Sequence, residues 1–144
     1  MNAETFEIQM RARLASRWNC SEPRGFSQES ILAGLHFTDM RIPQIYERFL
    51  RICGADAGSL FFDYEWSLAS REARNSELDL QLTEYEIEKP KGFFTFLDFM
   101  GDYFWGFCDD EEDPHVLMFD QLQFADLSLR LSDFLTRWEQ LETP

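Results

Sequence analysis

The chain carries few side chains suited to covalent chemistry. Its two histidines, His36 and His115, and its three cysteines, Cys20, Cys53 and Cys108, stand far apart. Zinc sites draw Cys and His ligands from short paired spacings or from motifs such as HExxH. Neither pattern occurs, so each histidine reads first as a structural or surface residue and no metal or cofactor is expected. A nucleophile needs a base beside it. Cys53 falls on the apolar stripe of an expected helix and reads as core, while Cys108 ends an aromatic strand and reads as partly open. No G-x-S-x-G, no P-loop and no G-x-G-x-x-G is present. The expectation is a protein that is not an enzyme.

What the chain does carry is carboxylate. Asp109, Asp110, Glu111, Glu112 and Asp113 form an uninterrupted run before Pro114. A calcium loop alternates its ligands and places a Gly at its sixth position, which this run does not. Three readings stand: a solvated hairpin tip, a contact surface for a cationic partner, or a metal site. Asp63 and Glu65 share the polar face of an expected strand, and Asp98 and Asp102 flank an expected turn. Trp66, Tyr103 and Trp105 are their aromatic neighbours. Aromatic side chains concentrate where interfaces carry energy, and they are also ordinary core residues. The expected partner surface therefore joins the acidic run to Asp63, Glu65, Trp66, Asp98, Asp102, Tyr103 and Trp105.

The charge is unevenly distributed. Thirteen basic residues face 27 acidic ones, for a net charge of −14. Residues 1–51 hold 7 basic and 6 acidic side chains, a net of +1, so residues 52–144 carry −15. An anionic field of this size repels phosphate backbones and anionic lipid and favours a cationic partner, although acidity also serves solubility alone. Neither nucleic acid nor membrane is expected as a partner. A chain of 144 residues with 44% hydrophobic content can bury a core as one domain, residues 1–144, without disulfide staples. The odd, scattered cysteines and the absence of an apolar leader in the first 20 residues point to a reducing cytoplasm.

Periodicity assigns the elements that must hold these residues. Phe6, Met10, Leu14 and Trp18 recur every fourth residue and predict a helix over 4–18. A short helix follows Ser27, a residue with N-cap character. Residues 43–53 predict a helix with Pro43 as its first residue and Gly54 in the left-handed conformation that ends it. Residues 58–66 alternate as a half-buried strand, with Leu60, Phe62, Tyr64 and Trp66 on one face. Residues 67–80 are polar and moderately helical, and 81–87 alternate again. Residues 89–92 make a turn. Aromatic strands follow at 93–98 and 103–108 around a Gly101-Asp102 turn, then a strand at 115–119 and a helix at 131–141. The strands are apolar on both faces, so both faces need cover. The architecture expected is α+β: a central, mostly antiparallel sheet of five to six strands flanked by N-terminal and C-terminal helices.

Three stretches together resemble the SUKH superfamily, the immunity-protein group that includes the yeast Smi/Knr-type cell-wall regulators. Ile42-Pro43 with Tyr46 and Phe49-Leu50 is similar to the family's "Leu-Pro, then Tyr, then Phe-Leu" helix, and Gly54 to Phe61 to its glycine-containing link. Phe93 to Asp113 resembles its aromatic hairpin ending in an acidic turn. Asp113-Pro114-His115-Val116 through the final helix resembles its "Asp-Pro-x-Val" strand and "Phe-x-x-Phe-Leu" helix. The chain departs at Ile42, at Arg130-Leu131, where the family's last helix opens with Ser-Phe, and in its longer acidic turn. The resemblance covers about residues 30–140. It implies a non-enzymatic binder, an immunity protein that neutralises a cognate, basic toxin by occluding it, monomeric rather than dimeric. The alternative is a secretion chaperone or other acidic adaptor for a protein partner.

Overall fold

The computed structural model describes residues 1–35, 41–108 and 111–138. His36, Asp109, Asp110 and the expected end of the last helix, 139–141, lie outside the described residues. Helix α1 (Ala3–Arg17) buries Phe6, Met10 and Leu14, and Asn2 caps it by accepting the Thr5 N–H at 2.8 Å. Helix α2 (Gln28–Leu35) starts where Ser27 Oγ accepts the Ser30 N–H at 3.2 Å. Helix α3 (Gln44–Cys53) buries Ile45, Tyr46, Phe49, Leu50, Ile52 and Cys53.

Both ends of α3 differ from expectation. Pro43 is the N-cap, one position before the first helical residue. The Ile45 N–H, which has no partner within the helix, donates to the Glu112 carbonyl at 3.1 Å, so the acidic turn itself closes the start of this helix. Gly54 stays right-handed, with φ −59°. Its missing side chain serves close approach instead: a Cβ there would stand 2.9 Å from the Phe26 ring.

Residues 58–66 do not form the expected strand. Gly58, Phe61 and Asp63 all take positive φ, and successive i+3 bonds fold the segment into turns. Phe61 is buried against Trp138, with ring centroids 4.9 Å apart, and Phe62 is 75% exposed. Neighbouring residues therefore take opposite environments without a strand's even alternation. Only Glu65 pairs in sheet fashion: its N–H reaches the Asp98 carbonyl at 3.0 Å and its carbonyl accepts the Asp98 N–H at 2.9 Å.

Helix α4 (Arg71–Glu84) runs through residues whose alternation suggested extended chain. Arg74, Leu78 and Leu82 are buried at every fourth position, so the helical period persists and overrides the local alternation. The helix ends in a Schellman motif. Glu86 takes φ 55° and donates to the Thr83 carbonyl, and Ile87 donates to the Leu82 carbonyl at 2.8 Å.

Four antiparallel strands follow as a meander in the order β1 (Phe94–Phe99), β2 (Tyr103–Phe107), β3 (His115–Asp120) and β4 (Gln123–Arg130). The molecule is α+β with a four-stranded sheet, fewer strands than the five to six expected. Two of the expected strands are turn and helix, and β4 occupies a stretch to which the sequence reading assigns no element. The β1–β2 turn also lies one residue earlier than Gly101-Asp102. Its central pair is Met100 (φ 55°) and Gly101 (φ 72°), closed by the Asp102 N–H on the Phe99 carbonyl at 3.0 Å. Helix α5 (Leu131–Thr136) completes the described chain.

Both sheet faces are covered. Phe94, Phe96, Trp105, Phe107 and Val116 pack with the residues of α1, α3 and α5, and Phe104 and Phe119 pack with Leu78 and Leu82 of α4. The outer edge of β1 is closed by side chains. Asn75 accepts the Thr95 N–H at 3.0 Å and donates to the Thr95 carbonyl at 3.2 Å, and Arg74 Nε donates to the same carbonyl at 3.0 Å. An uncovered edge invites pairing with another chain. We expect Asn75→Ala to cost about 1–3 kcal/mol in a urea titration and to raise the tendency to aggregate. Unchanged stability would mean that Asn75 does not seal the edge.

Candidate partner-binding surface

A meander places successive turns at alternate ends of its sheet. The β1–β2 turn and the β3–β4 turn therefore share one end, and the acidic turn between β2 and β3 occupies the other. The structure divides the sequence-predicted surface into two groups along this line. Asp63, Glu65, Asp98, Asp102 and Tyr103 lie toward the hairpin end. Glu111, Glu112 and Asp113 lie toward the other, with Asp109 and Asp110 outside the described residues.

The acidic turn is partly consumed by the fold. Asp113 accepts the Ser132 N–H at 2.9 Å and the Ser132 hydroxyl at 2.7 Å, and so caps the start of α5. It also faces the N-terminal ammonium of Met1 at 3.2 Å. Glu111 pairs with Arg130, whose guanidinium also donates to the Asp113 carbonyl at 3.1 Å. Glu112 contributes its carbonyl to α3 and leaves its side chain exposed.

The aromatic candidates differ in depth. Trp105 is buried beneath Tyr64 and Trp138, each 5.8 Å away between ring centroids. Trp66 is half-buried and tilted onto Phe49 and Phe61. Tyr103 is half-buried and stacked toward Trp105 at 6.4 Å. Asp63 and Glu65 are exposed, and Asp63 holds φ 69°.

Asp98 is the one deeply placed acid of the group. It is 4% exposed, and its Oδ1 accepts the Gly101 N–H at 3.4 Å. Burial pushes its carboxyl above the ordinary range. The Gly101 hydrogen bond and the Arg74 charge oppose this, and Glu77 and Glu65 add to it as like charges. Arg74 is itself buried, donating to the Ser67 carbonyl at 3.2 Å and to Ser70 Oγ at 3.1 Å, and burial lowers its pKa.

Beside this group a groove of about 440 Å³ opens between the last turn of α4 and the two hairpin turns. Gln81, Glu84, Tyr85, Asp102, Tyr103 and Leu122 are among its lining, together with Asp120. Gln81 ties the β1–β2 turn to α4 by donating to the Gly101 carbonyl at 2.6 Å. Sequence reasoning finds Asp102 and Tyr103 here and misses the rest. The groove is assembled from three turns far apart in the chain, and the only local signals are an exposed tyrosine and leucine beside acids.

Elsewhere the chemistry is sparse. Cys53 is fully buried, and burial drives its thiol far above the ordinary range. Cys108 is half-exposed. His115 stands 3.7 Å from Asp126 at the surface. Among the described residues, no three His, Cys, Asp or Glu side chains gather as metal ligands, and no helix is long and apolar enough to cross a membrane. No family model matches the chain, and no curated protein sequence matches it.

Two outcomes follow from these placements. A carboxyl whose folded pKa lies above its unfolded value costs the fold stability as pH rises from the unfolded pKa through the folded one. Asp98→Asn is therefore expected to be more stable than the wild type at neutral pH, with the difference closing as pH falls below the ordinary aspartate range. A difference independent of pH, or of opposite sign, would refute this placement. At the other end, Asp113→Ala should cost about 1–2 kcal/mol through the lost α5 cap. Glu112→Ala should stay within about 0.5 kcal/mol. Equal losses in chemical denaturation would show that the acidic turn stabilises only by its summed charge.

Proposed function

We propose that this chain is a non-enzymatic protein-binding module whose partner presents a cationic surface. One observation carries the reading. The described ion pairs draw chiefly on the arginines of the N-terminal third: Glu4 and Glu7 with Arg48, Glu7 also with Arg11, Glu47 with Arg51, and Asp56 with Arg24. At the hairpin end, Asp63, Glu65, Glu84, Asp102 and Asp120 have no described cation within ion-pair distance. The surplus charge of residues 52–144 is thus concentrated in part on one end of the molecule, where exposed apolar side chains also stand. Met100 is 77% exposed, Tyr85 52% and Leu122 48%. An apolar centre with a charged rim is the anatomy of a protein interface.

The SUKH resemblance supplies the biological role in this proposal. The chain acts in the cytoplasm as a monomeric immunity protein, binding a cognate toxin and occluding its working surface without chemistry. Toxins directed at nucleic acid are frequently basic because their substrate is a polyanion. A complementary anionic face speeds encounter and rejects neutral bystanders.

Affinity capture from the native lysate at low and moderate salt, read by mass spectrometry, tests the reading. One basic protein retained at equal stoichiometry is the expected result. A broad set of unfolded or exported proteins would overturn it in favour of a secretion chaperone. With the captured partner, replacing Asp109, Asp110, Glu111 and Glu112 together by Ser should slow association several-fold at low salt and far less at high salt. An unchanged low-salt rate would remove the acidic run from the interface.

A further inference from the structure

Resting on that reading, we propose that the groove between α4 and the two hairpin turns is the docking site for an arginine of the cationic partner. In the partner, that arginine stands beside an apolar residue that packs on Leu122 and Tyr85.

The groove has the chemistry of such a pocket. Glu84, Asp102 and Asp120 enter it from three separate elements, and none is satisfied by a described cation. Helix α4 directs the negative end of its dipole there, with no basic residue in its last turn to offset it. Tyr85, Tyr103 and Leu122 lie in the walls and give apolar surface to the stem of a long cationic side chain. Arginine fits better than lysine. Its planar guanidinium pairs with several carboxylates at once, stacks on aromatic rings and is more weakly hydrated.

The groove is also held ready. Gln81 fixes the β1–β2 turn against α4, and the Schellman motif fixes Tyr85 and Glu86. Little ordering remains to be done on binding. The β3–β4 turn presents Leu122 at some cost, because Gln121 (φ 50°) and Leu122 (φ 66°) both occupy the left-handed region. Asn-Gly would suit that turn better. A second copy of this chain is a poor occupant, since like acidic rims would meet.

The test is an amide NMR titration of the full chain with the blocked peptide Ac-Gly-Leu-Arg-Leu-Gly-NH2. The same peptide with lysine, and with the neutral isostere citrulline, in place of arginine gives the comparison. Arginine should produce saturable shifts centred on residues 84–86, 102–103 and 119–122, weakened by salt. Citrulline should bind about tenfold more weakly, the loss of one charge-assisted contact, and lysine in between. Asp102→Asn with Asp120→Asn should weaken the arginine peptide about tenfold or more with the thermal midpoint unchanged. Gln121→Asn with Leu122→Gly should raise the midpoint while weakening binding, which separates the groove from a general loss of fold.

Equal binding of the citrulline peptide overturns the proposal, as does the absence of saturable shifts at millimolar peptide. Shifts centred on residues 111–115 overturn it while leaving a cationic partner intact. Concentration-dependent shifts at the groove without peptide would identify a second copy as the occupant and overturn it too. The broader reading fails separately, when capture at low salt retains no basic protein.

Discussion

The outer edge of β1 is the constraint on which the rest of the molecule depends. Phe94 to Asp98 are all buried, yet β1 is the end strand of the sheet. Buried backbone groups must find partners, and no further strand supplies them here. Two pieces of chain do so instead: α4 through Asn75 and Arg74, and the backbone of Glu65. Each bond fixes a position. The α4 bonds hold that helix across the sheet face, so that Leu78 and Leu82 reach Phe104 and Phe119. The Glu65 bridge brings the turn segment 58–66 alongside Asp98. The groove exists because α4 is held where its last turn meets the hairpin turns.

Arg74 shows what this closure demands. Burying a guanidinium is costly unless its donors are bonded; here Nε and Nη1 reach two carbonyls and a hydroxyl, while Nη2 is buried without a described hydrogen-bond partner, so part of that cost stays in the fold. Its charge acts on Asp98, opposing the burial that pushes the carboxyl's pKa up. Asp98 in turn bonds the turn residue Gly101, so the same charge network reaches the β1–β2 tip. A polar core of this kind ties edge, helix and turn together more specifically than apolar packing would, because each bond has a direction.

What could be read from the sequence follows from how local each feature is. The stripe of Phe6, Met10 and Leu14, the Ser27 cap and the aromatic strands at 94–99 and 103–107 depend on spacing within one element, and they stand where periodicity puts them. The errors arise where tertiary contacts outweigh local pattern. Phe61 leaves strand geometry to pack on Trp138, and Leu82 follows Arg74 and Leu78 rather than its own neighbours. β4 has no clean sequence signature because its half-buried residues Phe124, Leu127 and Leu129 slip phase by one residue, where the pairing with β3 is irregular and Ser128 takes φ 58°. The candidate surface was legible as residue types, not as places. Asp102 and Asp113 are eleven residues apart in sequence but stand at opposite ends of β2, and only one of them spends its carboxylate on capping a helix.

The two ends of the sheet therefore use their acids differently, and the difference is physical. At the acidic turn Glu111 and Asp113 meet donors: the start of α5, Arg130 and the N-terminal ammonium. There, negative charge lowers the energy of the fold. At the hairpin end Glu84, Asp102 and Asp120 line a groove beside the last turn of α4 with no described cation in ion-pair reach, and burial holds the Asp98 carboxyl above its ordinary pKa. There, the buried charge of Asp98 costs the fold stability. Met100, Gln121 and Leu122 add left-handed backbone at the same end, where glycine or asparagine would cost less. Unpaired carboxylates and left-handed backbone thus coincide at the end that also exposes apolar side chains. A cationic partner would relieve the first and cover the last. This end of the molecule is consequently the better placed to gain from being bound, whereas at the acidic turn Glu111 and Asp113 already hold partners within the chain.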